Sequence, residues 1–310
     1  MQALQWETLG LVFSPEQGPD WMRTHAQVPT PLLYDGFIRV WFSSRPEPGL
    51  SLTSYVDLDA EDPTQVLYIC PEPILPLGEP GTFDEHGIMP SCALRVDGAI
   101  YLYYSGWSRG GSVPYVNSTG LAISEDDGRT FRKYSKGPLL SRDSRNPYSA
   151  TSPYVSQENG EWDMWFCSGT SWVQFDGKFE PTYDIKHARS CDGILWSTED
   201  VPAILQQNPL EAITRPWVWW ESDQQMMTYC YRGSKDFRGG GSDSYRLGLA
   251  YRNPDSSWCR IDNSLIIAIE NEVGFDKMLA YAAMLEANKK KLIFFNGNDF
   301  GSAGFCLAYA

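Results

Sequence analysis

A pattern of proline, turn and aromatic run recurs five times along the 310 residues, and no other feature restricts the fold as strongly. Pro29-Thr30-Pro31-Leu32-Leu33-Tyr34-Asp35-Gly36 leads into Val40-Trp41-Phe42-Ser43-Ser44, and Pro90 leads through Asp97-Gly98 into Tyr101-Leu102-Tyr103-Tyr104-Ser105-Gly106. Pro153 precedes Asn159-Gly160 and Met164-Trp165-Phe166-Cys167-Ser168-Gly169, while Pro216 precedes Asp223 and Met227-Thr228-Tyr229-Cys230-Tyr231. The last copy starts at Ala282 and passes Asn288 to reach Leu292-Ile293-Phe294-Phe295-Asn296-Gly297. The starting positions 29, 90, 153, 216 and 282 lie 61, 63, 63 and 66 residues apart, the mark of a repeat architecture.

Each copy reads as two strands joined by an Asp, Asn or Gly turn, a hairpin signature. A second hairpin follows, with a third strand such as Gly120-Leu121-Ala122-Ile123-Ser124, Ile185-Lys186-His187-Ala188-Arg189-Ser190 or Leu247-Gly248-Leu249-Ala250-Tyr251. Its turns carry Asp127-Gly128, Asp192-Gly193 and Asp255-Ser256, and the fourth strands fall within 131–140 and 258–267. Four strands per repeat predict an all-β chain, a single five-bladed β-propeller domain over residues 1–310. The sequence stops at a third strand, so residues 4–13 are expected to close the last blade and remove an exposed edge. Residues 124–131 resemble the Asp-box turn of sialidase propellers, which braces a hairpin rather than performing chemistry.

Composition narrows the partners. The formal charge of −14 opposes a phosphate backbone or an anionic membrane surface, both of which select for a basic face. Seven cysteines without a C-x-x-C pair read as buried free thiols in a reducing compartment, and a structural zinc is not expected. Met1-Gln2-Ala3-Leu4-Gln5-Trp6-Glu7 has neither the basic start nor the apolar centre of a signal peptide, and no apolar run reaches bilayer length. A cytoplasmic location is the expectation. No cofactor is expected, and the oligomeric state is open.

A propeller collects function where its inner strands begin and its second strands return. Just before the inner strands stand His25, Gln27, Asp84, His86, Glu211, Arg215 and Asp276. Following the return strands stand Arg45, Trp107, Tyr115, Trp172, Tyr183, Arg232 and Asn298. His25 and His86 share one repeat phase, as do Asp84 and Asp276. Structural roles compete throughout: a histidine can bond a neighbouring backbone, an Asp can cap a turn, and Arg215 or Arg232 can pair with acids across blades. His187 lies within a strand and reads as structural; packing is the better reading for most of Trp217, Trp219 and Trp220. Together the candidates suit a small carbohydrate, whose chemistry uses a carboxylic acid, a second carboxylate and aromatic walls.

The blade pattern, clearest from Met89-Pro90-Ser91 to Tyr104-Ser105-Gly106-Trp107 and from Ser152-Pro153 to Ser168-Gly169, resembles the propellers of the arabinanase, levansucrase and invertase superfamily. That superfamily includes glycoside hydrolase families 43 and 32. The resemblance implies hydrolysis or transfer of glycosyl units by an aspartate base, a supporting aspartate and a glutamate acid near inner-strand starts. This chain has Val28, Ser152 and Thr214 at the corresponding positions. Three readings stay open: a divergent glycosidase with Glu211 as acid and Asp84 or Asp276 as base or nucleophile, a non-catalytic carbohydrate-binding propeller, or a metal site built from the histidines and an aspartate.

Overall fold

In the computed structural model, residues 4–255, 257–262, 265–268 and 276–310 are described. Ser256 of the third anticipated turn, and Met1, Gln2 and Ala3, lie outside them. The strands follow the sequence period. The first repeat holds β2 (Thr24–Leu33), β3 (Phe37–Arg45), β4 (Leu52–Asp59) and β5 (Val66–Ile69), preceded by β1 (Leu4–Phe13). The second holds β6 (Gly87–Val96), β7 (Ala99–Arg109), β8 (Tyr115–Ser124) and β9 (Arg132–Lys133); the third, β10 (Ala150–Glu158), β11 (Glu161–Phe175), β12 (Lys178–Ser190) and β13 (Ser197–Thr198). The fourth holds β14 (Ala212–Glu221), β15 (Gln224–Arg232), β16 (Arg246–Arg252) and β17 (Trp258–Arg260), followed by β18 (Leu265–Ala268). The fifth holds β19 (Ala280–Ala287), β20 (Lys290–Asn296) and β21 (Phe305–Tyr309).

Within each repeat the strands pair antiparallel in chain order, and β1 adds antiparallel to β21. Inner strands touch in sequence: β2 lies against β6 and β19, β10 against β6 and β14, and β14 against β19. Neighbouring repeats also meet through short parallel bridges at Ser51 and Gly87, Ser118 and Ala150, and Tyr183 and Ala212. The span 258–267 departs from expectation. Trp258–Arg260 pairs in the fourth repeat and Ile261 N donates to Leu249 O, while Leu265–Ala268 crosses to run parallel to β1. In 131–140, Arg132–Lys133 forms the ladder and Leu140 adds an isolated bridge to Thr119.

The aromatic density of the second strands follows from burial on both faces. Trp41 packs toward the second repeat and Phe42 toward the fifth; Tyr104 faces the first repeat and Tyr103 the third. Trp165 and Phe166, and Phe294 and Phe295, divide between neighbours in the same way. The core therefore consists of apolar layers between consecutive repeats, the fifth with the first included. Trp217 is buried and Trp219 half-buried in this packing, whereas Trp220 is exposed. Five of the seven cysteines are buried, Cys259 is half-buried, and Cys191 is exposed, against the expectation of burial.

The turn at 124–131 braces as anticipated. Asp126 accepts from Ser124 Oγ at 2.6 Å, Thr130 N at 2.9 Å and Thr130 Oγ1 at 2.7 Å. These bonds hold its carboxyl at about 2 against the opposing effect of burial. Gly128 is required there: its φ is +77° and a Cβ would stand 2.5 Å from the Trp41 ring, whose Nε1 donates to Gly128 O. Tyr103 Oη donates to Gly193 O at the equivalent turn one repeat later.

Candidate functional site

The inner strands bulge at the repeated proline phase. Pairing registers break after Gln27, Thr151, Thr214 and Ala280, and Val28, Ser152, Arg215 and Tyr281 adopt φ of +55°, +51°, +58° and +58°. Left-handed backbone is costly for ordinary residues and most unusual for a β-branched valine. Each such residue is held from the preceding repeat. Ser152 N donates to Ser105 Oγ (2.9 Å), Arg215 N to Cys167 Sγ (3.4 Å), Tyr281 N to Cys230 Sγ (2.8 Å) and Val28 N to Asn296 Oδ1 (2.8 Å). Strain concentrated at one level of every such strand, answered by one kind of bond, re-aims side chains toward the centre.

There they enclose a cavity of about 330 Å³. Its aromatic walls are Trp107, Tyr115, Tyr183, Phe237, Tyr245, Tyr281 and Phe300, and its cations are Arg45, Arg232 and Arg238. Gln27, Ser91, Ser105, Asn117, Thr151 and Ser152 supply small polar groups. Burial pushes the Tyr115, Tyr183 and Tyr281 hydroxyls above their ordinary range, so they remain neutral donors. Among the described residues, Thr151 Oγ1 and Asn117 Oδ1 find no hydrogen-bond partner, although both are buried in the wall. A wider groove of about 640 Å³ beside 108–113 and 136–142 offers a single ring, Phe83, and lacks the stacking faces of the central cavity.

Of the residues singled out from the sequence, Gln27, Arg45, Trp107, Tyr115, Tyr183 and Arg232 line the cavity. Others stand behind them. Trp172 meets Tyr115 edge-on at 5.3 Å, and His86 stacks on Trp107 at 5.9 Å while its Nδ1 accepts from Arg109 N. Arg215 lies beneath the floor, 1% exposed, donating to Pro90 O (3.2 Å), Pro29 O (3.0 Å) and Thr30 Oγ1 (3.0 Å). His25 and Asn298 are outside the lining. His25 pairs with Thr24 Oγ1 at 2.9 Å, and burial, with Arg45 adding, lowers its pKa to about 4. Asn298 Oδ1 accepts from Lys277 N and Met278 N.

The three carboxylates do not converge on the cavity, contrary to the expectation from repeat phase. Glu211 is buried in a two-pronged pair with Arg260 (2.8 and 2.9 Å) and also accepts from Gln207 N at 2.6 Å. Asp84 is buried between Lys133 Nζ (2.7 Å) and Tyr104 Oη (2.8 Å). Asp276 accepts from Asn298 Nδ2 at 2.7 Å. Among the described residues, none lining the cavity is Asp or Glu, and no group of three or more His, Cys, Asp or Glu is placed to hold a metal. His187, read as structural, bridges Asp163 (2.7 Å) and Glu199 (3.0 Å). Phe237, Arg238, Tyr245, Tyr281 and Phe300 went unnoticed in the sequence; only Tyr281 carried a signal, standing one residue before the repeat start at Ala282.

No protein-family model matches the chain. Over 307 residues it is 31% identical to Uncharacterized protein Rv1502 of Mycobacterium tuberculosis, the match covering 98% of this chain and 99% of that protein. Among solved structures, a glycoside hydrolase superposes with a TM-score of 0.73 at 14% identity, covering 97% of this chain and 90% of that one. A thermostable family-43 glycoside hydrolase gives 0.66 at 13% identity over 92% and 88%. The Bombyx mori GH32 β-fructofuranosidase BmSUC1 gives 0.59 at 14% identity over 92% and 61%. The chain belongs to the family of the mycobacterial protein Rv1502, and it shares its fold with these glycoside hydrolases.

Proposed function

We propose that the repeats are the blades of a single five-bladed propeller, closed between β1 and β21, whose central cavity binds a small carbohydrate without hydrolysing it through a carboxylate pair. The ring of inner-strand contacts and the bond from Val28 N to Asn296 support the closure. Buried thiols such as Cys92, Cys167 and Cys230, none of them in a disulfide, support a reducing, cytoplasmic setting. The carbohydrate reading is carried by the cavity itself: aromatic faces for sugar rings beside Thr151 Oγ1 and Asn117 Oδ1, polar atoms that a ligand hydroxyl can satisfy. Hydrolysis of the usual kind needs two carboxyl groups across the glycosidic bond, within about 10 Å of each other. Glu211, Asp84 and Asp276 are instead bound to Arg260, Lys133 and Asn298.

A thermal-shift screen of mono- and disaccharides on the wild type and on Trp107→Ala tests this reading. At least one sugar should raise the melting temperature of the wild type and leave the variant unmoved. Failure of every sugar at millimolar concentration refutes it, as does glycoside cleavage by the wild type.

A further inference from the structure

The chain carries 39 acidic and 25 basic residues, yet its central cavity is cationic. Arg45, Arg232 and Arg238 line it and Arg215 lies under its floor. Among the described residues, a single carboxylate answers these four guanidiniums: Glu180, which pairs with Arg238 at 2.9 Å. The four differ in what they can still bind. Arg232 spends its donors on Tyr245 Oη, Gly233 O and Pro181 O, and Arg215 on the proline carbonyls and Thr30. These two contribute field rather than bonds. Arg45 has one protein partner, Gln27 Oε1 at 3.1 Å, and Arg238 uses Nε and Nη2 on Glu180, leaving Nη1 without a protein partner among the described residues.

Keeping these charges out of water is unfavourable. Burial lowers the Arg215 pKa to about 10 and depresses Arg45, where Tyr281 opposes the shift and the like charge of Arg238 adds to it. An anion bound to both Arg45 and Arg238 relieves that repulsion, and the neutral hydroxyls of Tyr115, Tyr183 and Tyr281 add donors without adding negative charge. A neutral sugar offers no such compensation.

Resting on the carbohydrate reading above, we propose that the ligand is an anionic sugar, a monosaccharide or disaccharide bearing a carboxylate or phosphate that is bound by Arg45 and Arg238. The acidic exterior keeps the cationic potential confined to the cavity, so the discrimination is local.

Calorimetric titration of matched probes tests the proposal: glucose and galactose against glucuronate, galacturonate, glucose 6-phosphate and galactose 6-phosphate, with inorganic phosphate as the sugar-free probe. At least one anionic sugar should bind about tenfold or more tighter than its neutral parent, the size expected of hydrogen bonds to charged groups. The uronate and phosphate arms identify which anion is preferred. Arg45→Gln should abolish the preference of the anionic sugar over its neutral parent, and Arg45→Lys should restore part of it. Circular dichroism and a melting temperature close to wild type establish that the variants fold. Should a neutral parent bind as tightly as its anionic partner, or Arg45→Gln keep the preference, the proposal is overturned and the sugar reading stands. Binding of inorganic phosphate equal to that of a sugar phosphate overturns the sugar reading and retains the anion site. No binding by any probe overturns both.

Discussion

Replacing Asn296 by leucine should weaken the fold more than the loss of any other single bond at the inner-strand bulges. Asn296 is wholly buried and makes three bonds: it accepts from Val28 N at 2.8 Å and donates to Ala26 O at 2.8 Å and Gly304 O at 2.9 Å. Leucine has a similar volume but satisfies none of them. Leaving one donor and two acceptors unpaired away from water costs roughly 1 to 2 kcal/mol each, so about 4 kcal/mol is expected. Against a typical total of about 5 to 15 kcal/mol, that is a large share. Ser105→Ala removes the acceptor of Ser152 N and the hydroxyl bond to Ser91 Oγ (3.2 Å), and should cost only about 1 kcal/mol, because Ser91 keeps access to the cavity. Urea unfolding followed by tryptophan fluorescence measures both. With a slope of about 3 kcal/mol/M, the Asn296→Leu midpoint should fall by somewhat over ~1 M and that of Ser105→Ala by about a quarter of this. A loss below about 1 kcal/mol for Asn296→Leu, or equal losses for the two variants, would mean that the repeats are not joined by these bonds.

Other outcomes follow from buried charge. Arg260→Met strands Glu211 in the interior and should cost about 3 to 5 kcal/mol, much of it recovered when Glu211→Gln is added; a double variant no better than the single one refutes the pairing. Burial raises the Asp184 carboxyl from 3.8 to about 6, with Lys186 opposing. Its folded form therefore holds the proton more tightly than the unfolded chain, and stability should fall as pH rises from about 4 to about 6, by about 3 kcal/mol. Asp184→Asn should remove that decline, and melting curves at several pH values that show no gain at neutral pH would reject it.

Much of the architecture was readable because the period and the burial pattern agree. Positions 29, 153, 216 and 282 follow the left-handed residues Val28, Ser152, Arg215 and Tyr281, so the proline phase marked the level of the cavity. Trp107, Tyr115, Tyr183, Arg45 and Arg232 reached its wall for the same reason. The carboxylates were misread because register says where a residue sits and not what neutralises it. Glu211 meets Arg260 and Asp84 meets Lys133 only after folding, each partner 49 residues further along. Phe237 and Arg238 belong to the glycine-rich stretch 233–244, whose placement depends on Glu180 in another repeat, a contact that no local pattern announces. The crossing of Leu265–Ala268 to β1 is likewise a tertiary choice between two available edges.

The four bulge residues lean on a serine hydroxyl, two thiols and a carboxamide. What the joint selects is a lone pair at a fixed height, and any side chain that delivers one will serve. Substitution among such side chains is then silent to the architecture, which lets each repeat drift in composition while the angle between neighbours stays put. Aligning the repeats letter by letter shows Ser105, Cys167, Cys230 and Asn296 as unrelated, although mechanically they are one interchangeable part.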